Sequence, residues 1–131
     1  MKVHHAEDRQ KPRPYDIQDR SYLFATEIVD FCRPMMAPGA IARELARQIL
    51  RSGSSIGANL EEADGAESRP DFRSKVAISR KEAYETRYWL RLLVHTDRRL
   101  HNNAAPLIDE ARQLIDILTT IKLNSERNDQ K

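Results

Sequence analysis

The chain has 131 residues, of which 40% are hydrophobic and 32% are charged, and its formal net charge is +2. This length predicts a single domain with one hydrophobic core, and the nearly balanced charge gives no argument for nucleic-acid binding from composition alone. No secretion signal is visible and no apolar run approaches the roughly 18 residues of a membrane span. The single cysteine, Cys32, lies among apolar residues and is interpreted as a small core side chain. A lone thiol also favours a protein of a reducing compartment. We therefore expect a cytoplasmic protein with no membrane partner.

Polar residues and two prolines mark residues 1–15, which we interpret as a flexible arm with solvated histidines at His4 and His5. A first helix is predicted from about residue 16, because apolar or small residues then recur at steps of three and four. Pro34 and Pro38 end this helix. A second helix opens at Gly39 and keeps its apolar register over eight positions: Ala42, Leu45, Ile49, Ser52, Ile56, Asn59, Ala63 and Ala66.

The second helix contains two glycines, Gly53 and Gly57, within the segment LRSGSSIGANLEEADGAESRPDF. A phosphate-binding loop is excluded, because no strand pattern precedes these glycines and no lysine follows the second. Each glycine inside a helix costs roughly 1 kcal/mol relative to alanine, so the pair needs a reason in packing. The sequence predicts that another helix approaches closely at a small-residue stripe formed by Ala46, Leu50, Gly53, Gly57 and Leu60.

The third and fourth helices complete the predicted architecture. Ser68 and Asp71, with Pro70 between them, predict the start of a third helix that ends near Leu100. The segment HNNAAP is interpreted as a turn, with Asn103 or Ala104 capping the fourth helix. Four amphipathic helices joined by short turns predict an all-α, antiparallel up-and-down four-helix bundle over residues 16–123, followed by a flexible tail over residues 124–131. The inner faces of the last two helices are Phe72, Val76, Ser79, Ala83, Thr86, Leu90 and Leu93, and Leu107, Ala111, Leu114, Leu118 and Ile121.

Glu85 lies beside Trp89 on a partly apolar helix face, where a carboxylate without a partner would be costly to bury. Arg51 and Asn59 on the second helix are the natural partners. We therefore predict a structural polar network formed by Arg51, Ser52, Asn59, Glu62 and Glu85. The alternative is that Glu85 is a catalytic carboxylate.

No metal site, cofactor or small-molecule substrate is predicted. Di-iron bundles need inward-facing E-x-x-H motifs, which the chain lacks, and His95 and His101 have no cysteine companions for zinc. Helical RNases of the HEPN type use R-x-x-x-x-H, whereas Arg91 and His95 form R-x-x-x-H, one residue shorter. An RNase is therefore kept as one hypothesis, beside an ordinary exposed Arg–His pair.

The third helix carries a basic face on which residues recur at steps of three and four. Arginines interleaved with a tyrosine can bind phosphates and stack on exposed bases. The alternative is an ordinary solvated helix face. The predicted nucleic-acid-binding residues are Arg80, Tyr84, Arg87, Arg91 and Arg98, with His95 on the same face and Arg43 and Arg47 extending it from the second helix.

The second and third helices resemble the bacterial four-helix bundle protein family, whose members include proteins encoded in intervening sequences of large-subunit ribosomal RNA genes. The family's pattern R-S-x-x-S-I-x-x-N-I-x-E-G is similar to residues 51–63, with Ala63 in place of the last glycine. A branch reading K-E-A-x-E-T-x-Y-W-L-x-L-L is similar to residues 81–93. The first helix is also similar, at Ser21, Phe24, Ala25 and Ile28, and the resemblance covers residues 16 to about 122.

This resemblance implies a non-enzymatic protein that forms a homo-oligomer, a barrel-like pentamer, with small-residue faces and polar rows at its subunit contacts. The family is related to the accessory variability determinant of diversity-generating retroelements, which binds a reverse transcriptase and nucleic acid through a positively charged surface. Three hypotheses follow: a homopentamer whose arginines bind structured RNA or a nucleoprotein partner, a scaffold that binds only protein, and an RNase that uses Arg91 and His95.

Overall fold

Four long helices form the part of the chain that the computed structural model describes, residues 17–36 and 39–129. They are α1 (Ile17–Cys32), α2 (Ala40–Asp64), α3 (Arg69–Thr96) and α4 (His101–Asp129). Two short 3-10 segments, Arg33–Met36 and Arg98–Leu100, follow α1 and α3. The described residues include no strand, which confirms the predicted all-α class. The predicted arm over residues 1–15, with its two histidines, and Pro38 lie outside the described residues.

The helices run antiparallel in chain order. Ser52 and Ile56 of α2 lie against Thr86 and Ser79 of α3, so residue numbers rise along one helix as they fall along the other. The same holds for α1 and α2, where Ser21 faces Gly57 and Ile28 faces Gly53. Helix α4 packs against α3, and Arg20 of α1 forms an ion pair with Glu110 of α4. The helices therefore close into an up-and-down four-helix bundle, as predicted.

The core is formed by the inner stripes that the helical spacing predicts. The largest of its fully buried side chains come from all four helices. Hydroxyl groups are buried among them without loss of hydrogen bonding: the Ser79 Oγ donates to the Ile56 carbonyl at 2.9 Å, and the Ser21 Oγ donates to the Gln18 carbonyl at 2.9 Å. The fully buried large residues are Ile17, Phe24, Ile28, Ile49, Ile56, Leu60, Val76, Thr86, Leu90, Leu93, Leu114 and Leu118.

The small-residue stripe of α2 faces α1 of the same chain. A Cβ atom built at Gly53 would lie 3.0 Å from both Cγ atoms of Ile28, and one built at Gly57 would lie 3.5 Å from the backbone oxygen of Ser21. The two helices pack so closely that a side chain at either glycine would meet α1. The glycines thus have a packing reason within the chain and do not require the subunit contact that the resemblance implies for them.

Ser68 is the N-cap of α3, in the place that the sequence predicts. Its Oγ accepts the backbone N–H of Asp71 at 3.2 Å, and Pro70 occupies the first turn. We expect Ser68→Ala to destabilise the fold by about 1 kcal/mol, because the N–H of Asp71 then loses its capping acceptor. Urea unfolding followed by circular dichroism measures the change. Ser74→Ala, at an exposed position inside α3, is the matched control and should leave the unfolding midpoint nearly unchanged.

The start of α4 differs from the prediction. The helix begins at His101, so Asn103 and Ala104 lie inside it and Pro106 lies in its second turn. The chain turns earlier because the Asp97 side chain accepts the backbone N–H of Arg99 at 3.1 Å and caps the 3-10 segment that leads directly into α4. The helix also continues through Asp129, beyond the bundle boundary predicted at residue 123.

Cys32 lies in the core between α1 and α2, and its Sγ donates to the Ala46 carbonyl at 3.5 Å. Burial raises the pKa of the Cys32 thiol to about 11, because the interior disfavours the thiolate. We expect the folded protein to resist a thiol-specific reagent at pH 8 and the urea-unfolded protein to react at once. The thiol of the unfolded chain ionises at a lower pH than the buried thiol. The contribution of Cys32 to the free energy of unfolding is therefore present below about pH 9 and is lost towards pH 11. Rapid labelling of the folded protein would contradict this.

Candidate nucleic-acid interface

Helix α3 has two chemically different flanks. On the flank that faces α2, Glu82 and Glu85 receive hydrogen bonds from Arg51. On the flank that faces α4, the Nε of Arg80 donates to the Thr119 Oγ1 at 2.7 Å. The acidic side chains and the predicted basic face therefore lie on opposite sides of the helix. Glu82 and Glu85 do not neutralise the basic face, because Arg51 already pairs with both.

Two members of the predicted polar network, Arg51 and Glu85, contact each other. Arg51 forms an ion pair with Glu85 and a second one, at 3.2 Å, with Glu82, while the Trp89 Nε1 donates to the Glu85 Oε1 at 3.0 Å. The Arg51 side chain is 48% exposed, so this is a surface pair worth less than about 1 kcal/mol. Because Glu85 is held by two donors, these contacts favour the structural interpretation over a catalytic carboxylate.

The other members of the predicted network form separate contacts. Ser52 is buried and accepts a hydrogen bond from the Thr86 hydroxyl at 2.8 Å, although the helical spacing predicts Thr86 only as a core residue. The Asn59 Nδ2 donates to the Ser55 carbonyl of its own helix at 2.8 Å, and Glu62 pairs with Lys75 at 3.4 Å. The expected single network is therefore four separate contacts, of which the Arg51–Glu85 pair is one, because each side chain finds a partner within its own helix or directly opposite on α3.

Arg80 and Tyr84 form the first part of the predicted basic face. The Arg80 guanidinium lies 5.0 Å from the centre of the Tyr84 ring, and its Nη2 donates to the Tyr84 hydroxyl at 3.4 Å. Arg80 also donates to Thr119, as described above. Its half-buried guanidinium is therefore already bound within the protein. The Tyr84 ring, 45% exposed, carries this cation on its surface.

Arg87 lies at a groove between α3 and α4. Its Nε is buried and has no hydrogen-bond partner. It lines a depression of about 250 Å³ together with side chains of α4, among them His101, Asp109 and Arg112. The Arg87 guanidinium is thus a cation whose hydrogen-bonding capacity is not used within the protein, which is uncommon for a buried polar atom.

The groove continues towards the end of α3. A neighbouring depression of about 410 Å³ is lined by Arg91, Val94, His95, Arg98 and His101. His101 lines both depressions, so they form one surface, which we call the α3–α4 groove. The groove brings together five residues of α3 and the turn, Arg87, Arg91, Val94, His95 and Arg98, with His101, Asp109 and Arg112 of α4.

The carboxylates near the groove are paired with other residues. Asp109 accepts hydrogen bonds from Arg112 at 3.0 Å and from Gln113 at 2.8 Å, which hold the pKa of its carboxyl below the ordinary value. Asp97 is bound by Arg99, whose hydrogen bonds likewise lower the Asp97 pKa. Among the ion pairs of the described residues, none includes Arg87, Arg91 or Arg98. The groove therefore keeps an excess of positive charge.

Arg43 and Arg47 are not part of this groove. Both are exposed on α2, where the next turn carries Arg51 to the Glu82 and Glu85 flank of α3. The structure therefore brings together Arg87, Arg91 and Arg98 from the predicted set, and places the two α2 arginines on another side of the bundle. Their binding role stays a prediction.

Sequence reasoning missed the residues that α4 adds to the groove. His101 and Arg112 were not assigned to the basic face, because they lie on a different helix and 14 and 25 positions after Arg87. The short connection between α3 and α4 indicates that the two helices pair antiparallel, and this signal could have identified both residues.

Among the described residues, no three side chains of His, Cys, Asp or Glu come together as a potential metal site. No helix in the described ranges is long and apolar enough to cross a membrane.

Comparison with known proteins identifies the family. The family model described as 23S rRNA-intervening sequence protein matches residues 13–120, which is most of the chain and includes α1, α2, α3 and the groove. The chain belongs to this family. The match agrees with the resemblance carried by the second and third helices.

A solved structure supports membership of the 23S rRNA intervening sequence protein family. It is the 1.70 Å crystal structure of a protein of unknown function from the S23 ribosomal protein family of Bacteroides thetaiotaomicron. That protein is 36% identical to this chain, with a TM-score of 0.74, and the match covers 81% of this chain and 97% of that one. No curated protein matches the chain. The four-helix arrangement is therefore shared with an experimentally determined relative.

Proposed function

We infer that this protein is a non-enzymatic, homo-oligomeric RNA-binding protein that contacts structured RNA, alone or within a nucleoprotein, through the basic side of α3. The observation that carries this inference is the set of unpaired arginines in the α3–α4 groove, Arg87, Arg91 and Arg98. Arginine contacts with phosphates supply most sequence-independent affinity for nucleic acid. The family's description, which refers to intervening sequences of 23S rRNA, makes RNA the nucleic acid to test first.

Exposed apolar side chains support self-association. Tyr22 and Leu23 on α1, Ile41 on α2 and Tyr88 on α3 are each more than half exposed. Burying such residues between copies of the chain would stabilise an oligomer. The pentamer proposed here comes from the family resemblance, and these side chains are available to form its contacts.

Native mass spectrometry of the protein purified from cells at low salt, with and without nuclease treatment, tests this proposal. We expect pentamers that carry extra mass, and we expect nuclease to remove that mass. Bare pentamers in both samples would contradict RNA retention and would favour a scaffold that binds only protein. Monomers at micromolar concentration would contradict the oligomer.

The RNase hypothesis gains one observation, because His101 joins Arg91 and His95 at the same groove. The non-enzymatic proposal nevertheless expects end-labelled RNA to remain intact during incubation with the protein in the presence of a metal chelator. Cleavage under those conditions that disappears in the His95→Ala variant would replace the proposed function with metal-independent RNA cleavage.

A further inference from the structure

The α3–α4 groove has the spacing and charge of a site for adjacent phosphates. Arg87 and Arg91 are one helical turn apart, so their Cα atoms are separated by about 6 Å along the axis of α3, a spacing that suits side chains reaching for successive phosphates of one strand. Arg98 continues the line beyond the end of the helix, on the 3-10 segment. These three arginines therefore line one surface path, made of two depressions that share His101.

Two histidines lie within this path. His95 comes from the last turn of α3 and His101 from the first turn of α4, and both line the larger depression beside Arg91 and Arg98. Histidine gains its positive charge between about pH 8 and pH 5. Protonation would add up to two cations to a surface that already holds unpaired arginines, which raises the attraction for a phosphate.

Charged groups from α3, the 3-10 segment and α4 surround the two histidines. Arg91 of α3 and Arg98 of the 3-10 segment line the same depression, and Arg87 faces His101 from α3. From α4 come Arg112 and the carboxylate of Asp109, which pair with each other at 3.0 Å. In the turn, Asp97 pairs with Arg99 at 3.0 Å. Since these carboxylates already have cationic partners, a bound phosphate is the natural counter-ion for protonated histidines.

We propose that the α3–α4 groove is a pH-dependent site for adjacent phosphates of an RNA backbone, bound by Arg87, Arg91 and Arg98 and strengthened below neutral pH by His95 and His101. This proposal rests on the proposed RNA-binding function and assigns that function to one groove. It also gives the two histidines a binding role in place of a catalytic one.

Fluorescence anisotropy with a labelled RNA hairpin at pH 7.5, 6.5 and 5.5, at constant ionic strength, tests the proposal. We expect affinity to rise about tenfold from pH 7.5 to pH 5.5, because two added cations act on the phosphates. In the double variant His95→Gln with His101→Gln, the affinity for the hairpin should no longer rise between pH 7.5 and pH 5.5. Lys81→Gln, which removes an exposed charge of α3 outside the groove, should keep it. Circular dichroism confirms that each protein stays folded at each pH.

The outcomes separate this proposal from the function on which it rests. RNA binding that does not depend on pH, or a rise that survives in the double histidine variant, would overturn the pH-dependent groove and leave RNA binding intact. If RNA does not bind at any pH, the proposed function fails, and pyrophosphate is titrated against the histidine proton resonances. Shifts of both histidines that disappear in Arg87→Ala with Arg91→Ala would support the groove as a site for small phosphates. Unmoved resonances would overturn it.

Discussion

Replacing Gly53 with leucine is expected to destabilise the protein by about 1–2 kcal/mol. A Cβ atom at this position would lie 3.0 Å from the Cγ1 and Cγ2 atoms of Ile28, which is fully buried on α1. Ile28 is β-branched and cannot readily turn away, and overpacking of this kind costs about 1–3 kcal/mol, occasionally more. The better helix propensity of leucine offsets about 1 kcal/mol of that cost. Urea unfolding at one fixed protein concentration measures the difference.

Two further variants make the Gly53 result specific to the α1–α2 contact. Ser54→Leu places the same side chain at the next, exposed position and should change stability by less than about 0.5 kcal/mol. Ile28→Ala opens space opposite Gly53, so its combination with Gly53→Leu should cost less than the sum of the two single changes by about 1 kcal/mol. A neutral Gly53→Leu variant, or strictly additive costs, would show that α1 does not pack tightly on this stripe.

The second large effect is expected for RNA binding by the double variant Arg87→Ala with Arg91→Ala. Each arginine that neutralises a phosphate contributes about 0.9 to the slope of log affinity against log salt concentration. Removing both should therefore lower the slope by about 2 and weaken binding at 0.15 M salt by roughly tenfold to thirtyfold. Fluorescence anisotropy with an RNA hairpin over a salt series from 50 to about 300 mM gives both quantities.

A matched loss of two charges outside the groove is the control for this measurement. Lys81→Ala with Arg127→Ala removes two exposed cations from α3 and α4 and should leave the salt slope nearly unchanged. If both double variants lower the slope equally, the overall positive charge of the protein attracts the RNA, and the groove is not a specific binding site. If the unchanged protein shows no salt-dependent RNA affinity, the protein-only scaffold becomes the better hypothesis.

The side-chain pairings on α3 explain why the groove is the favoured surface. Arg51, Arg80 and Arg112 all have partners within the chain, on Glu85, Thr119 and Asp109 respectively. Arg51 and Arg80 thereby connect α3 to its neighbouring helices, and Arg112 pairs within α4. Arg87, Arg91 and Arg98 of the groove lack such ion pairs with the described residues, so their charge is available to a ligand. Helical spacing alone could not separate the six predicted arginines into those that are paired within the protein and those that are free to bind a ligand.

The local features were predictable because helix geometry is local. Steps of three and four residues placed Phe24, Ile56 and Leu90 in the core, and Ser68 was identified as an N-cap from its spacing to Asp71. The start of α4 was predicted wrongly, since the cap formed by Asp97 and the 3-10 turn produced a helix where HNNAAP indicated a loop.

The sequence by itself determined the all-α class, the antiparallel bundle and most of the core, because the 3.6-residue period specifies which face of each helix is apolar. Only the tertiary structure decided that α1 fills the space at Gly53, that Ser52 of α2 lies against Thr86 of α3, and that His101 joins Arg87 at one groove. These contacts join residues 14 to 34 positions apart. They depend on which helices become neighbours and on their relative rotation, which the period of a single helix does not specify.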